Sequence, residues 1–175
     1  MQFGTRPGSC YAPDVRVLAV VLALAALSAC DDGDATSPVG TGVVEWVVDG
    51  DTIDISIDGS DERVRLLGID TPETKIPDTP PECFGPEAAA RTAQLLPAGT
   101  AIRLERDIVG RDDYGRLLAY VYRLDDDLFV NEALVRDGFA NLLWIEPNGA
   151  YRDQMVAAAV AAEQEGLGLW GACGG

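Results

Sequence analysis

The sequence predicts an α+β, mainly β domain: a five-stranded Greek-key barrel of the OB-fold type carrying about three helices. Three observations predict it. Candidate elements run in the order three strands, one helix, two strands, then helices. Ile53, Ile55 and Ile57 alternate with Asp54, Ser56 and Asp58, the period of a strand with one buried face. The chain of 175 residues suffices for one core plus a tail and shows no internal repeat.

Residues 1–30 lie ahead of that fold. Arg6 and Arg16 precede an apolar run from Val17 to Leu27, and small residues lead on to Cys30. This is the layout of a secretory signal, with a run too short for a comfortable membrane span. Leu27–Cys30, "LSAC", resembles the lipobox of bacterial lipoproteins. The resemblance implies cleavage before Cys30, lipid on that residue, and a protein exported and anchored to a bacterial membrane on its periplasmic or cell-surface side. An ordinary signal peptide that contains a cysteine is the competing reading. Residues 31–42, "DDGDATSPVGTG", are acidic, small and rich in turn formers. They read as a flexible tether, which leaves residues 43–172 for the folded domain.

Within that domain "VVEWVV" and "TIDISID" read as strands, and "DGSD" turns the chain into a third, "ERVRLLGI". A proline-rich loop follows from Pro72 to Pro81. Gly85 and Pro86 then open a helix through about Leu96, with proline at a first-turn position where its missing N–H costs nothing. "TAIRLERDI" and "RLLAYVYRL" are two further strands around a polar loop, "VGRDDYG". "VNEALVRDGFA" is a short helix. The last helix is expected to start at Asn148 and end near Gly166, with Met155, Ala159 and Ala162 as its buried stripe.

The net charge is −16. Loss of Arg6, Arg16 and Asp14 with the signal would take 13 basic and 29 acidic residues to 11 and 28, a net charge of −17. Such a surface repels polyanions at long range, so nucleic-acid binding must be local or mediated by a cation. The chain has no histidine, which removes the usual zinc ligand and the usual general base. Chemistry must run on carboxylates, arginines, tyrosines or a hard metal ion. Of four cysteines, Cys10 leaves with the signal and Cys30 is the lipid site, so Cys83 and Cys173 remain. In an exported protein such a pair is expected to form a disulfide rather than a metal site.

Two acids raise a question of charge. Asp51 ends "VVDGD" and Asp70 ends "RLLGID", at the ends of strands expected to be neighbours. Converging carboxylates raise each other's pKa unless a cation lies between them, and Ca²⁺ takes oxygen ligands in a loose shell. Either acid alone would read as a turn cap. The stretches "DGDT", "RLLGIDTPE", "GPEA", "RDDYGRLLAYVY", "VNEALVRDGFA" and "GLW" together resemble the staphylococcal nuclease (thermonuclease) family, in one order from about Val43 to Trp170. That resemblance implies that Asp51, Asp70 and the backbone carbonyl of Thr71 hold calcium. Glu73 would orient or deprotonate the attacking water, and Arg65 and Arg116 would bind phosphate and offset transition-state charge. Tyr114 would contact a substrate phosphate. Arg63, two positions from Arg65, reads as an ordinary ion-paired surface arginine.

Some positions depart from the family pattern. Asp113 stands before Tyr114 where the family usually has a basic residue, so one phosphate contact is expected to be lost. "LWIEPN" lacks the family's pocket tyrosines; Trp144 reads as core packing, with base stacking as the alternative. The expectation is a monomeric, calcium-dependent nuclease that hydrolyses DNA and RNA, preferably single-stranded, to 3′-phosphorylated products. Two rivals compete with it. One is a catalytically weak domain that binds single strands, which predicts lost acids or arginines where none is lost. The other is an acidic cell-surface calcium or interaction module, which suits the charge but not the intact "DTPE" and "YGR".

Overall fold

The structure, a computed structural model, describes residues 37–75 and 77–173. The signal, the Leu27–Cys30 stretch and residues 31–36 of the expected tether lie outside the described residues. Five strands close a barrel: β1 (Ser37–Asp49), β2 (Thr52–Ile57), β3 (Ser60–Leu66), β5 (Ala101–Arg106) and β6 (Leu117–Arg123), in the order β1–β2–β3–β6–β5. Neighbours pair antiparallel except β3 and β6, which run parallel. Two short strands, β4 (Gly68–Asp70) and β7 (Asn141–Leu143), form a separate antiparallel pair. The helices are α1 (Gly85–Leu95), α2 (Val130–Arg136), α3 (Arg152–Glu165) and a single turn, α4 (Leu169–Ala172). Among the described residues no helix is long and apolar enough to cross a membrane.

The alternation in β2 does what its period implies: Ile53 and Ile55 are fully buried. They meet Val64, Leu66, Ile102, Leu104 and Leu118 inside the barrel, and Leu134 of α2 and Met155 of α3 extend the same core. Each such aliphatic side chain contributes about 1.5–3 kcal/mol by leaving water. Asn131 fastens α2 to the barrel: its Oδ1 accepts the Val121 N–H at 2.9 Å and its Nδ2 donates to the Leu67 carbonyl at 2.9 Å. A fully buried amide is tolerated because its partners replace water.

Four expectations are corrected. β1 begins at Ser37, not Val43, because residues 37–42 ladder onto β5, with Ser37 opposite Arg106 and Gly42 opposite Ile102. The third strand is not continuous through Ile69. It breaks at Gly68, whose φ of +78° suits glycine and whose position leaves no room for a Cβ beside Met155 and Trp144. Asn148 does not cap α3; its side chain instead accepts the Val109 N–H at 2.8 Å and donates to the Val109 carbonyl at 3.0 Å. The buried stripe of α3 is Met155, Ala158 and Ala162, while Ala159 lies at the edge of the core.

Candidate active site

Arg65 organises the end of β3. It is almost wholly buried, and its Nη1 donates to the carbonyls of Leu66 and Ile69, at 2.7 Å each. Those two bonds stitch β3 to β4 across the break at Gly68. Nη2 reaches Asp70 Oδ1 at 2.9 Å and Asp51 Oδ2 at 3.1 Å. One guanidinium thus lies between the two carboxylates singled out from sequence, and the charge question has a first answer inside the chain itself.

Asp51 sits in the turn between β1 and β2 and is buried. Its Oδ1 accepts the Thr52 hydroxyl at 2.9 Å, and its Oδ2 accepts the Thr71 N–H at 3.1 Å. The turn lies hard against Thr71: a Cβ on Gly50 would come within 2.5 Å of the Thr71 Oγ1. Only glycine permits that approach. The Gly50 carbonyl is in turn held by the hydroxyl of Thr92 on α1, at 2.5 Å.

Asp70, at the end of β4, keeps 49% of its side chain exposed. Burial raises its carboxyl; Arg65 pulls the other way, and Asp51 and Glu82 push it further up. Glu73 is raised too, by partial burial first and then by the charges of Asp49, Asp51 and Asp70. Its backbone is fixed at both polar groups, because its N–H donates to Glu82 Oε2 at 3.0 Å and its carbonyl accepts the Glu82 N–H at 2.9 Å.

Sequence reasoning missed two of these anchors. Asp49 accepts the Thr74 hydroxyl at 3.0 Å and the Gly50 N–H at 2.9 Å, holding the segment after Glu73 to the β1–β2 turn. The doubled acid in "DGD" was its signal. Glu82 left none, since it stands nine positions further along the loop from the residue it holds.

Arg116 and Tyr114 form a second group. Asp112 caps their loop, accepting the N–H groups of Tyr114 and Arg116 at 3.0 and 2.9 Å and the Arg116 Nε at 2.6 Å. The Arg116 guanidinium lies 5.6 Å from the centre of the Tyr114 ring. Among the described residues its two terminal nitrogens make no hydrogen bond, and no hydrogen bond or ion pair joins this pair to Asp51, Asp70 or Glu73. Both residues line a cleft of about 650 Å³ that also borders Arg63. Arg63 is ion-paired to Asp54 at 2.7 Å, as expected of a surface arginine. Trp144 packs against the core with the Arg152 guanidinium 4.4 Å from its ring centre, which fits core packing rather than base stacking. Asp113 is exposed.

The donor set suits a hard cation. Asp70 Oδ2 takes no hydrogen bond among the described residues, and neither does the carbonyl of Thr71, a residue only 3% exposed. Asp51 faces them from the adjoining turn. Among the described residues no group of three or more Asp, Glu, His or Cys side chains is arranged to hold a metal ion. Two carboxylates and a carbonyl therefore supply only part of an oxygen shell, the rest falling to water or substrate.

A five-stranded barrel of this topology, with acids gathered on one buried arginine where a strand turn meets the end of another strand, defines a class of OB-fold domain with a polar site at the barrel's rim. Residues 63–172 match the family model described as staphylococcal nuclease homologue. The chain is 44% identical to the thermonuclease of Staphylococcus intermedius over 128 residues, covering 73% of this chain and 74% of that protein. It is 39% identical to the thermonuclease of Staphylococcus hyicus over 124 residues, 71% and 72% of the two chains. With the SPbeta prophage-derived endonuclease YokF of Bacillus subtilis it shares 42% identity over 129 residues, 73% of this chain and 43% of the relative. The chain belongs to the staphylococcal nuclease family.

Proposed function

We propose that the chain is a calcium-dependent nuclease that hydrolyses phosphodiester bonds of DNA and RNA, leaving 3′-phosphorylated products. The observation that carries this reading is the convergence of Asp51 and Asp70 on Arg65, with the Thr71 N–H bonded to Asp51 and the backbone of Glu73 fixed three residues beyond Asp70. Asp51, Asp70 and the Thr71 carbonyl would hold the Ca²⁺. When bound, the ion supplies Lewis-acid polarisation of a phosphoryl oxygen.

The remaining work falls to side chains. Glu73 receives a proton from the attacking water, with its backbone held in place at both polar groups by Glu82. Arg116 offers its two free terminal nitrogens to the non-bridging oxygens, whose charge grows in the transition state. Arg65 must give up its Asp70 contact to do the same. The sequence layout alone supports export and anchorage through a lipid on Cys30.

The test is the initial rate of the full chain on single-stranded DNA, with Ca²⁺ or with chelator. Activity should require Ca²⁺, and Glu73→Gln should lower turnover by roughly 10²–10⁴. Full activity in chelator, or in Glu73→Gln, refutes the mechanism. Fractionation of cells making the Cys30→Ala chain should find it released from membranes; unchanged association rejects the anchor.

A further inference from the structure

Strand alternation should bury Trp46. Val44 points inward and is 1% exposed, so the residue two positions on belongs on the same face. The register slips instead: Val44 stands opposite Ile55 and Trp46 opposite Asp54, two steps on β1 against one on β2. This bulge turns Glu45 and Trp46 outward together, and the indole is 65% exposed. Bulges re-aim side chains, and this one sets a large aromatic ring in the wall of a cleft that a second exposed aromatic shares.

The cleft beside it shows which ligand. Trp46 and Tyr114, itself 87% exposed, both line the cleft of about 650 Å³ that reaches Arg116. Of the acids in its walls, Asp54 is neutralised by Arg63 and Glu62 by Arg111, each at 2.7 Å. Glu45 and Asp61 remain, which disfavours phosphate there. Stacking of a base on an aromatic ring tolerates any sequence, because every base presents a π-face. Carboxylates at the rim also accept hydrogen bonds from exocyclic amino groups of bases.

We propose that Trp46, with Tyr114, is a base-stacking platform for a nucleotide of the single-stranded substrate away from the scissile bond. The inference rests on the nuclease reading and extends it from the reacting phosphate to the strand beside it. Arg116 borders the same cleft, so a strand stacked there has a guanidinium with free terminal nitrogens within the same walls for its phosphate.

Binding and turnover test it separately, with the full chain. Anisotropy of a fluorescein-labelled single-stranded oligonucleotide in chelator measures binding without cleavage. Trp46→Ala should weaken it about tenfold, Trp46→Phe should recover most of the loss, and Val43→Ala on the same strand should leave it as in wild type. With Ca²⁺, KM of Trp46→Ala should rise several-fold more for the oligonucleotide than for a dinucleotide too short to span both regions. Wild-type binding by Trp46→Ala, equal KM changes on both substrates, or no recovery in Trp46→Phe overturns the platform. A wild-type chain that binds the oligonucleotide through Trp46 but cleaves nothing removes the nuclease reading and leaves the platform standing.

Discussion

A single carboxylate, Asp107, shows how much of this molecule depends on individual polar residues. Its Oδ2 accepts the Gly149 N–H at 2.7 Å, the Ala150 N–H at 2.9 Å and the Tyr120 hydroxyl at 2.9 Å, while its Oδ1 takes the Ile108 N–H at 2.8 Å. It therefore joins the end of β5 to β6 and to the entry of α3. Burial works against the charged form, yet the bonds from Ala150, Tyr120, Ile108 and Gly149 prevail and hold the carboxyl below its ordinary range. A depressed folded-state pKa stabilises the fold above the unfolded value, near about 3.9, and loses that contribution as pH falls through the lower folded value. Asp107→Asn offers one acceptor oxygen where four donors converge, and should cost about 1–3 kcal/mol at neutral pH. Denaturant melts at pH 7 and at pH 3 check this. The gap between wild type and variant should narrow in acid, and a gap independent of pH would show that charge plays no part.

Among the elements, α1 and α4 are tied by the bond between Cys83 and Cys173, 90 residues apart in sequence with Cα atoms 5.9 Å apart. The bond also anchors the loop that carries Glu73, because Glu82, next to Cys83, holds Glu73 by both backbone groups. Closing so long a loop restricts the unfolded chain, so Cys83→Ala/Cys173→Ala should lower stability by roughly 2–4 kcal/mol. Urea midpoints measure it; equal midpoints for the oxidised protein and the double variant would remove the disulfide from the stability argument. This pairing was legible because two cysteines remained once the signal and its lipid site were set aside. Strand β2 was legible from its strict isoleucine period, and α1 from Gly85-Pro86. The β4–β7 pair was not, since three residues carry no period and their partners come from opposite ends of the domain. The outward turn of Trp46 was hidden for a related reason: a bulge is a property of two paired strands, and the sequence of one gives no sign of it. At the site, the approach of Asp51 and Asp70 was legible because the strands they end were expected to be neighbours, and both meet Arg65; the hold of Asp112 on the loop of Tyr114 and Arg116 was not, because it depends on how that loop turns back on itself.

For the molecule as a whole, the problem is that a chain of net charge −16 must approach a polyanion. Its arginines do not form a basic face. Arg63 pairs with Asp54, Arg91 with Asp137, Arg111 with Glu62 and Arg152 with Glu146, so most positive charge is spent within the protein. Arg116 keeps free terminal nitrogens for a phosphate, and a bound cation would offset Asp51 and Asp70, so attraction is local. Two effects of salt oppose each other. Screening shortens the range of the overall repulsion, from a Debye length of about 30 Å at 0.01 M to about 10 Å at 0.1 M, and so speeds encounter. Counterion competition weakens the few direct phosphate contacts, with a slope that grows with their number. With so few contacts the first effect should win at low ionic strength. The rate constant kcat/KM on single-stranded DNA, at saturating free Ca²⁺, should therefore hold level or rise up to about 0.1 M NaCl and decline only beyond it. A titration of initial rate against NaCl decides the matter: a steep, steady fall from the lowest salt would mean that a basic surface, and not the local site, draws the substrate in.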